Sequence, residues 1–194
     1  MSLRESIRRF DLAADRAWDR LRGRPVVDRV FYSASALGDF SLIWHLLGCW
    51  RAVLPRHEAE EAIRLSLTMG AESALVNGPV KSVFGRLRPH SDDSDPHPHR
   101  LRRPRTTSFP SGHASAAFTA AALLSDGSGW SVRWAMNSVA AVVAASRVHV
   151  RIHHASDVIA GAALGIVLGA VARRAWTLVP PPLGRTKARR ASGG

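Results

Sequence analysis

The chain has a single cysteine, Cys49, and only two lysines, Lys81 and Lys187. One cysteine excludes an internal disulfide framework and any cysteine-based zinc cluster. It leaves the redox compartment undecided. Tyrosine occurs once, at Tyr32, and no nucleic-acid recognition motif is present. No segment reads as a secretory signal, because arginines alternate with acids from Met1 to Arg29. Strand-like alternation is never sustained; Val148–Ile152 alternates too briefly to build a sheet. There is no internal repeat. A hydrophobic content of 46% excludes a disordered chain.

What is present is arginine and apolar helix. The 194 residues suffice for one compact domain. The formal net charge is +12 and the pI about 11.6. Such basicity points to an acidic partner, and composition alone leaves nucleic acid, anionic lipid and a phosphorylated substrate open. In the first 29 residues, Ile7, Phe10, Ala14 and Trp18 recur at helical spacing. This predicts an amphipathic helix, either interfacial on a membrane or packed by one face as an ordinary solvated helix.

Five apolar stretches follow: Val30–Trp50, Ala62–Phe84, Thr106–Ser125, Trp134–Ser146 and Val158–Ala172. The first carries only Asp39 and His45 as ionisable groups. Several are shorter than the roughly 20 residues a perpendicular span needs. Their glycine, alanine and serine content suits close helix packing in a bilayer. The expectation is an all-α, membrane-embedded bundle of about five to six helices. A soluble alanine-rich helical domain is the competing reading. The predicted organisation is an amphipathic segment over 1–29, a helical domain over 30–178 and a basic disordered tail over 179–194. Connectors are expected at Arg51–Glu61, Pro89–Thr107 and Asp126–Gly129.

Three motifs lie at predicted helix ends. In the first, Lys81 is followed by Arg88-Pro89. Two cations held together form an anion site, the guanidinium as a planar fork and the ammonium as a point charge. A helix end facing lipid headgroups reads equally well. In the second, Pro110-Ser111-Gly112-His113 precedes a small-residue helix. Ser111 is a candidate N-cap, Gly112 lets the backbone approach closely, and the first-turn N–H groups favour an anion. His113 can exchange a proton at the same point. A plain helix start with an incidental histidine competes. In the third, Ser146-Arg147 is followed by His153 and Asp157. A spacing of four places the last two on one helix face. The carboxylate fixes the imidazole tautomer and makes the other nitrogen a better nucleophile. A zinc site from His149, His153 and Asp157 has ligand-like spacing, but the surrounding arginines disfavour a dication. With alternating helix directions, all three motifs fall on one side of the bundle.

Lys-x6-Arg-Pro, Pro-Ser-Gly-His and Ser-Arg-x5-His-x3-Asp, in that order, resemble the type 2 phosphatidic acid phosphatase superfamily. The resemblance covers roughly Ala62–Ala172. It implies a helical bundle and metal-independent hydrolysis of a phosphomonoester or diphosphate, with no cofactor. His153 is then the nucleophile, Asp157 its orienting carboxylate, and His113 the acid and base. Lys81, Arg88, Ser111, Gly112 and Arg147 hold the phosphate oxygens. Larger members often place three transmembrane helices before the end of the first motif, whereas two clear apolar stretches precede Lys81 here. The implied partners are a lipid-phosphate substrate and the bilayer: a polyprenyl phosphate or diphosphate, a phosphorylated sugar-lipid, or a glycerophospholipid phosphate. The implied location is a multi-pass protein of the inner or plasma membrane. The arginine-rich tail argues for a cytoplasmic C-terminus and a site outside the cytoplasm, while the arginine-rich N-terminus also favours the cytoplasm, and five spans cannot put both ends there. A vanadate-dependent haloperoxidase resembles the same residues but is generally larger and soluble. A nucleic-acid-binding module rests on charge alone, and no nucleic-acid partner is expected.

Overall fold

The computed structural model describes residues 2–53, 59–89 and 106–179. Among them are seven α-helices and no strand. They are α1 (Leu3–Asp19), α2 (Pro25–Gly38), α3 (Leu42–Ala52), α4 (Ala59–Leu75), α5 (Gly112–Leu124), α6 (Trp130–His149) and α7 (Ala155–Thr177). The all-α bundle expected from periodicity is therefore the observed architecture. Most of the loop between Pro89 and Thr107, and the tail beyond Val179, lie outside the described residues.

The apolar stretch Val30–Trp50 is not one helix. It breaks at Asp39–Ser41, where Phe40 and Ser41 take positive φ of 53° and 58°. Those left-handed conformations end one helix and redirect the next. Hydropathy could not show this, because the break falls inside an apolar run. The predicted second stretch is also interrupted. The chain leaves α4 through a π-helical turn, Val76–Val80, where Gly78 has non-helical torsions and Pro79 lacks an N–H.

The centre of the bundle is the contact of α5 with α7. Gly161, Gly165 and Gly169 recur every fourth residue along α7 and form one stripe. A Cβ at Gly161 would overlap the carbonyl oxygen of Ser111, and one at Gly165 that of Ser115. At Gly169 it would come within 2.6 Å of Ala122 Cβ. The stripe lets the two backbones touch, as small residues do in helix pairs. Thr119 Oγ1 then donates across the contact to Gly165 O at 3.1 Å. Around α5 lies a core of Trp44, Leu65, Met69, Val143 and several alanines.

Basic side chains close the helix ends. Arg22 donates to the carbonyls of Val148 and His149 at the end of α6, at 2.7 and 2.9 Å. Arg51 donates to Leu124 O at the end of α5, at 2.5 Å. Both satisfy orphan carbonyls and offset the negative end of the helix dipole. The amphipathic α1 packs on α6 and α7 at the end of the bundle where α7 begins. One helix, Ala155–Thr177, is long and apolar enough to cross a membrane by length and composition.

Candidate active site

The three motifs meet at the end of the bundle where α5 and α7 begin. Lys81 follows the π-helical turn and is buried. Its Nζ donates to Asn77 Oδ1 at 2.9 Å and Thr106 Oγ1 at 3.4 Å. Arg88 is fixed by four oxygens: Thr106 O at 3.1 Å, Ile152 O at 2.9 Å, Thr107 O at 3.2 Å and Thr106 Oγ1 at 3.4 Å. Ser111 caps α5, its Oγ accepting from Ala114 N at 3.4 Å. Gly112 allows Asn77 to approach: a Cβ there would sit 3.1 Å from Asn77 Oδ1.

Arg147 lies in the last turn of α6 and is 1% exposed. One guanidinium nitrogen donates to Ser35 Oγ. Its Nε and Nη2 have no hydrogen-bond partner among the described residues. The carbonyl of Arg147 accepts from the N–H groups of Ile152 and His153, at 3.1 and 3.0 Å, which folds the linker back onto α6.

His153 is not on the helix that its spacing to Asp157 predicts. It precedes the N-cap, His154, and α7 starts at Ala155. Asp157 is instead the third helical residue and reaches back to the His154 N–H at 2.9 Å, as in a capping box. The His153 Nδ1 lies 3.7 Å from Asp157 Oδ2, and Nε2 lies 3.1 Å from Arg88 Nη1. A guanidinium only donates, so Nε2 accepts and Nδ1 carries the proton facing Asp157. Burial pushes the His153 ring down to about 3, with Arg88 and Arg147 adding to the effect and Asp157 opposing it. Burial likewise lowers the Arg88 guanidinium, with Asp157 opposing. His153 is therefore a neutral base whose unprotonated Nε2 faces a guanidinium.

Lys81, Arg88, Gly112, His113 and His153 line one cavity of about 1060 Å³. Asp157, Arg147 and Ser111 stand behind them, all buried. The lining also includes His45, Ser66, Glu72, Ser73 and Asn77, with Phe40, Met69 and Ala116 as its apolar part. The zinc set is not assembled: His149 Nε2 contacts Asp28 Oδ1 at 2.8 Å, and its ring stacks on Phe31.

Two residues of the site escape a reading of the motifs alone. Asp39, at the break between α2 and α3, contacts His113 Nε2 at 2.8 Å. Its signal was an isolated carboxylate in an apolar run. Arg86 lies inside the first motif, at an unspecified position. It donates to Asp157 Oδ1 at 2.6 Å.

Two histidines and three cations thus gather at one end of an all-helical bundle, an arrangement suited to holding a phosphate. The PAP2 superfamily model matches residues 61–179, and the chain belongs to that superfamily as a PAP2-type phosphatase. Two solved structures are similar. One is the first transmembrane PAP2 type phosphatidylglycerolphosphate phosphatase from Bacillus subtilis, with TM-score 0.68 and 23% identity, covering 90% of this chain and 88% of that one. The other is Aquifex aeolicus LpxE, with TM-score 0.66 and 27% identity, covering 84% and 94%. No curated protein matches the chain significantly.

Proposed function

We propose that the protein hydrolyses the phosphate ester of a membrane lipid in two steps through a phosphohistidine. One observation carries this reading. His153 presents an unprotonated Nε2 to Arg88 in the cavity that also holds Lys81 and His113. An anion bound by Arg88 and Lys81 comes to rest against that lone pair. In the first step Nε2 attacks phosphorus, the ester P–O bond breaks, and His113 gives a proton to the leaving oxygen. In the second, His113 takes a proton from water, water attacks phosphorus, and the P–N bond breaks to release phosphate.

The remaining groups stabilise charge. Lys81, Arg88 and Arg147 hold the oxygens, with the Ser111 hydroxyl and the Gly112 N–H at the start of α5. Arg147 keeps Nε and Nη2 without a hydrogen-bond partner among the described residues. Asp157 orients His153 and stabilises its cationic form. Every step uses side chains of this chain and none needs a metal.

Family membership and the transmembrane phosphatase among the similar structures support a lipid substrate in a bilayer. The candidates are a polyprenyl phosphate or diphosphate, a phosphorylated sugar-lipid and a glycerophospholipid phosphate. The division into an N-terminal segment over 1–29, a catalytic domain over 30–178 and a basic tail over 179–194 belongs to this reading. So does its sidedness. The site lies at the N-terminal end of α7, and the basic tail follows its C-terminal end. A cytoplasmic tail then places the site, and α1 beside it, on the extracytoplasmic face. The test is phosphate release by detergent-purified protein across these lipid classes, in EDTA. Release by wild type and none by His153→Ala is the expected result; equal release by both sinks the mechanism.

A further inference from the structure

We infer that Asp11 of the N-terminal helix is a positioning residue for the reaction at His153. Through Arg86 it fixes the carboxylate of Asp157, so α1 completes the site although it lies outside the matched family segment. The inference rests on the phosphatase reading above.

Asp11 is 6% exposed on a helix whose other polar residues mostly face outward. Its carboxylate accepts three hydrogen bonds from the site. Oδ1 takes the Ser156 N–H at 2.9 Å, and Oδ2 takes the Ser156 hydroxyl at 2.8 Å and Arg86 Nη2 at 2.5 Å. Arg86 turns its other nitrogen, Nη1, to Asp157 Oδ1 at 2.6 Å and to the Ser156 hydroxyl at 2.7 Å. One guanidinium thus bridges two carboxylates in its planar fork.

This arrangement sets the plane of the Asp157 carboxylate. Its Oδ2 is held by the His154 N–H, so one further contact fixes rotation about that bond. Arg86 supplies the contact at Oδ1, which leaves Oδ2 facing His153 Nδ1. Arg86 itself is partly exposed, with 27% of its side chain accessible, and Asp11 is what turns it inward. Without Asp11 the guanidinium keeps only Asp157 and the Ser156 hydroxyl as partners, and solvent competes for its hold on Asp157.

Docking of α1 does not by itself account for Asp11. The helix and the turn after it hold the bundle elsewhere, through Trp18 against Phe31 and His149 and through Arg22 on the α6 carbonyls. A buried carboxylate spent on Arg86 and the first turn of α7 points to a role at Asp157.

The experiment compares wild type, Asp11→Asn, Asp11→Glu and Asp157→Asn in the full-length detergent-solubilised protein. The readouts are kcat, KM, thermal unfolding and the ¹⁵N–¹H signal of the His153 Nδ1 proton. Asp11→Asn is expected to lower kcat about 10- to 100-fold, as misplacement of a reacting group does, while KM stays within about twofold. Asp11→Glu is expected to recover part of that loss. The His153 proton signal is expected to move in Asp11→Asn in the same direction as in Asp157→Asn. Wild-type kcat in Asp11→Asn overturns the inference. So does a loss of kcat matched by unfolding, with the His153 signal unmoved in the folded protein. Should Asp11→Asn fail to fold, Asp11→Glu carries the same comparison. Phosphate release that does not depend on His153 would instead refute the phosphohistidine mechanism, and the His153 signal still decides whether Asp11 acts on Asp157.

Discussion

In the proposed mechanism His153 reacts as a neutral imidazole, and its surroundings keep it neutral. Burial first, then Arg88 and Arg147, push its protonation down to about 3. A depressed value means that the lone pair stays free well below the ordinary histidine range near 6.5 and is lost only in strong acid. Histidine NMR titration of the free protein is expected to show one ring, absent in His153→Asn, that does not titrate between pH 5 and 8, the window in which an unperturbed histidine titrates. A midpoint near 6.5 for that ring would contradict the geometry. Asp39 is the second residue-scale test. Its contact at 2.8 Å stabilises the imidazolium of His113, so Asp39→Asn is expected to reduce kcat by about 10- to 100-fold. Unchanged kcat would remove Asp39 from the site. The convergence of Lys81, Arg88, His113, His153 and Asp157 was legible because each motif keeps its chemistry within a few residues of sequence. Asp39, Arg86 and Asp11 were not, because their partners lie 74, 71 and 145 residues away.

At the scale of elements, the glycine stripe of α7 sets the distance between the two halves of the site. Asp157 begins α7, while Ser111 and His113 begin α5. Gly161→Ala puts a methyl group against the Ser111 carbonyl and Gly165→Ala one against the Ser115 carbonyl, and both carbonyls are backbone. Each is expected to destabilise the protein by about 1–3 kcal/mol and to lower kcat together, because the helices can only move apart. Chemical denaturation and steady-state kinetics of the same preparations check both effects; full stability in Gly165→Ala would mean that the helices are not in contact. The start of α5 was legible from Ser111 at a cap followed by a small-residue run. The starts and breaks elsewhere were less so. The spacing of four put His153 on a helix, yet the capping role of Asp157 claims the first turn and leaves His153 just outside it. Apolar content joined α2 to α3, whereas two consecutive left-handed residues separate them. Periodicity reports which face is apolar and is silent on where the backbone turns.

Across the whole molecule, the fold has two unlike ends. The proposed catalytic groups and α1 gather at one end of α7, which spans about 34 Å at the usual helical rise, and in sequence the basic tail follows the other. That polarity suits an enzyme that meets its substrate's headgroup at one membrane surface. The chemistry assigned to side chains alone implies full activity in excess EDTA; loss of activity restored by one divalent ion would contradict it. The fold class was legible as a whole from the order of three motifs and the absence of strand periodicity. The most direct test of the central claim is acid-free rapid quenching of the purified protein during turnover of a ³²P-labelled lipid phosphate, with His153→Ala beside it. Label bound to wild type, stable in base, released in acid and absent from His153→Ala is the expected result. Turnover without any such protein-bound phosphate, or with equal labelling of the variant, would contradict the phosphohistidine mechanism.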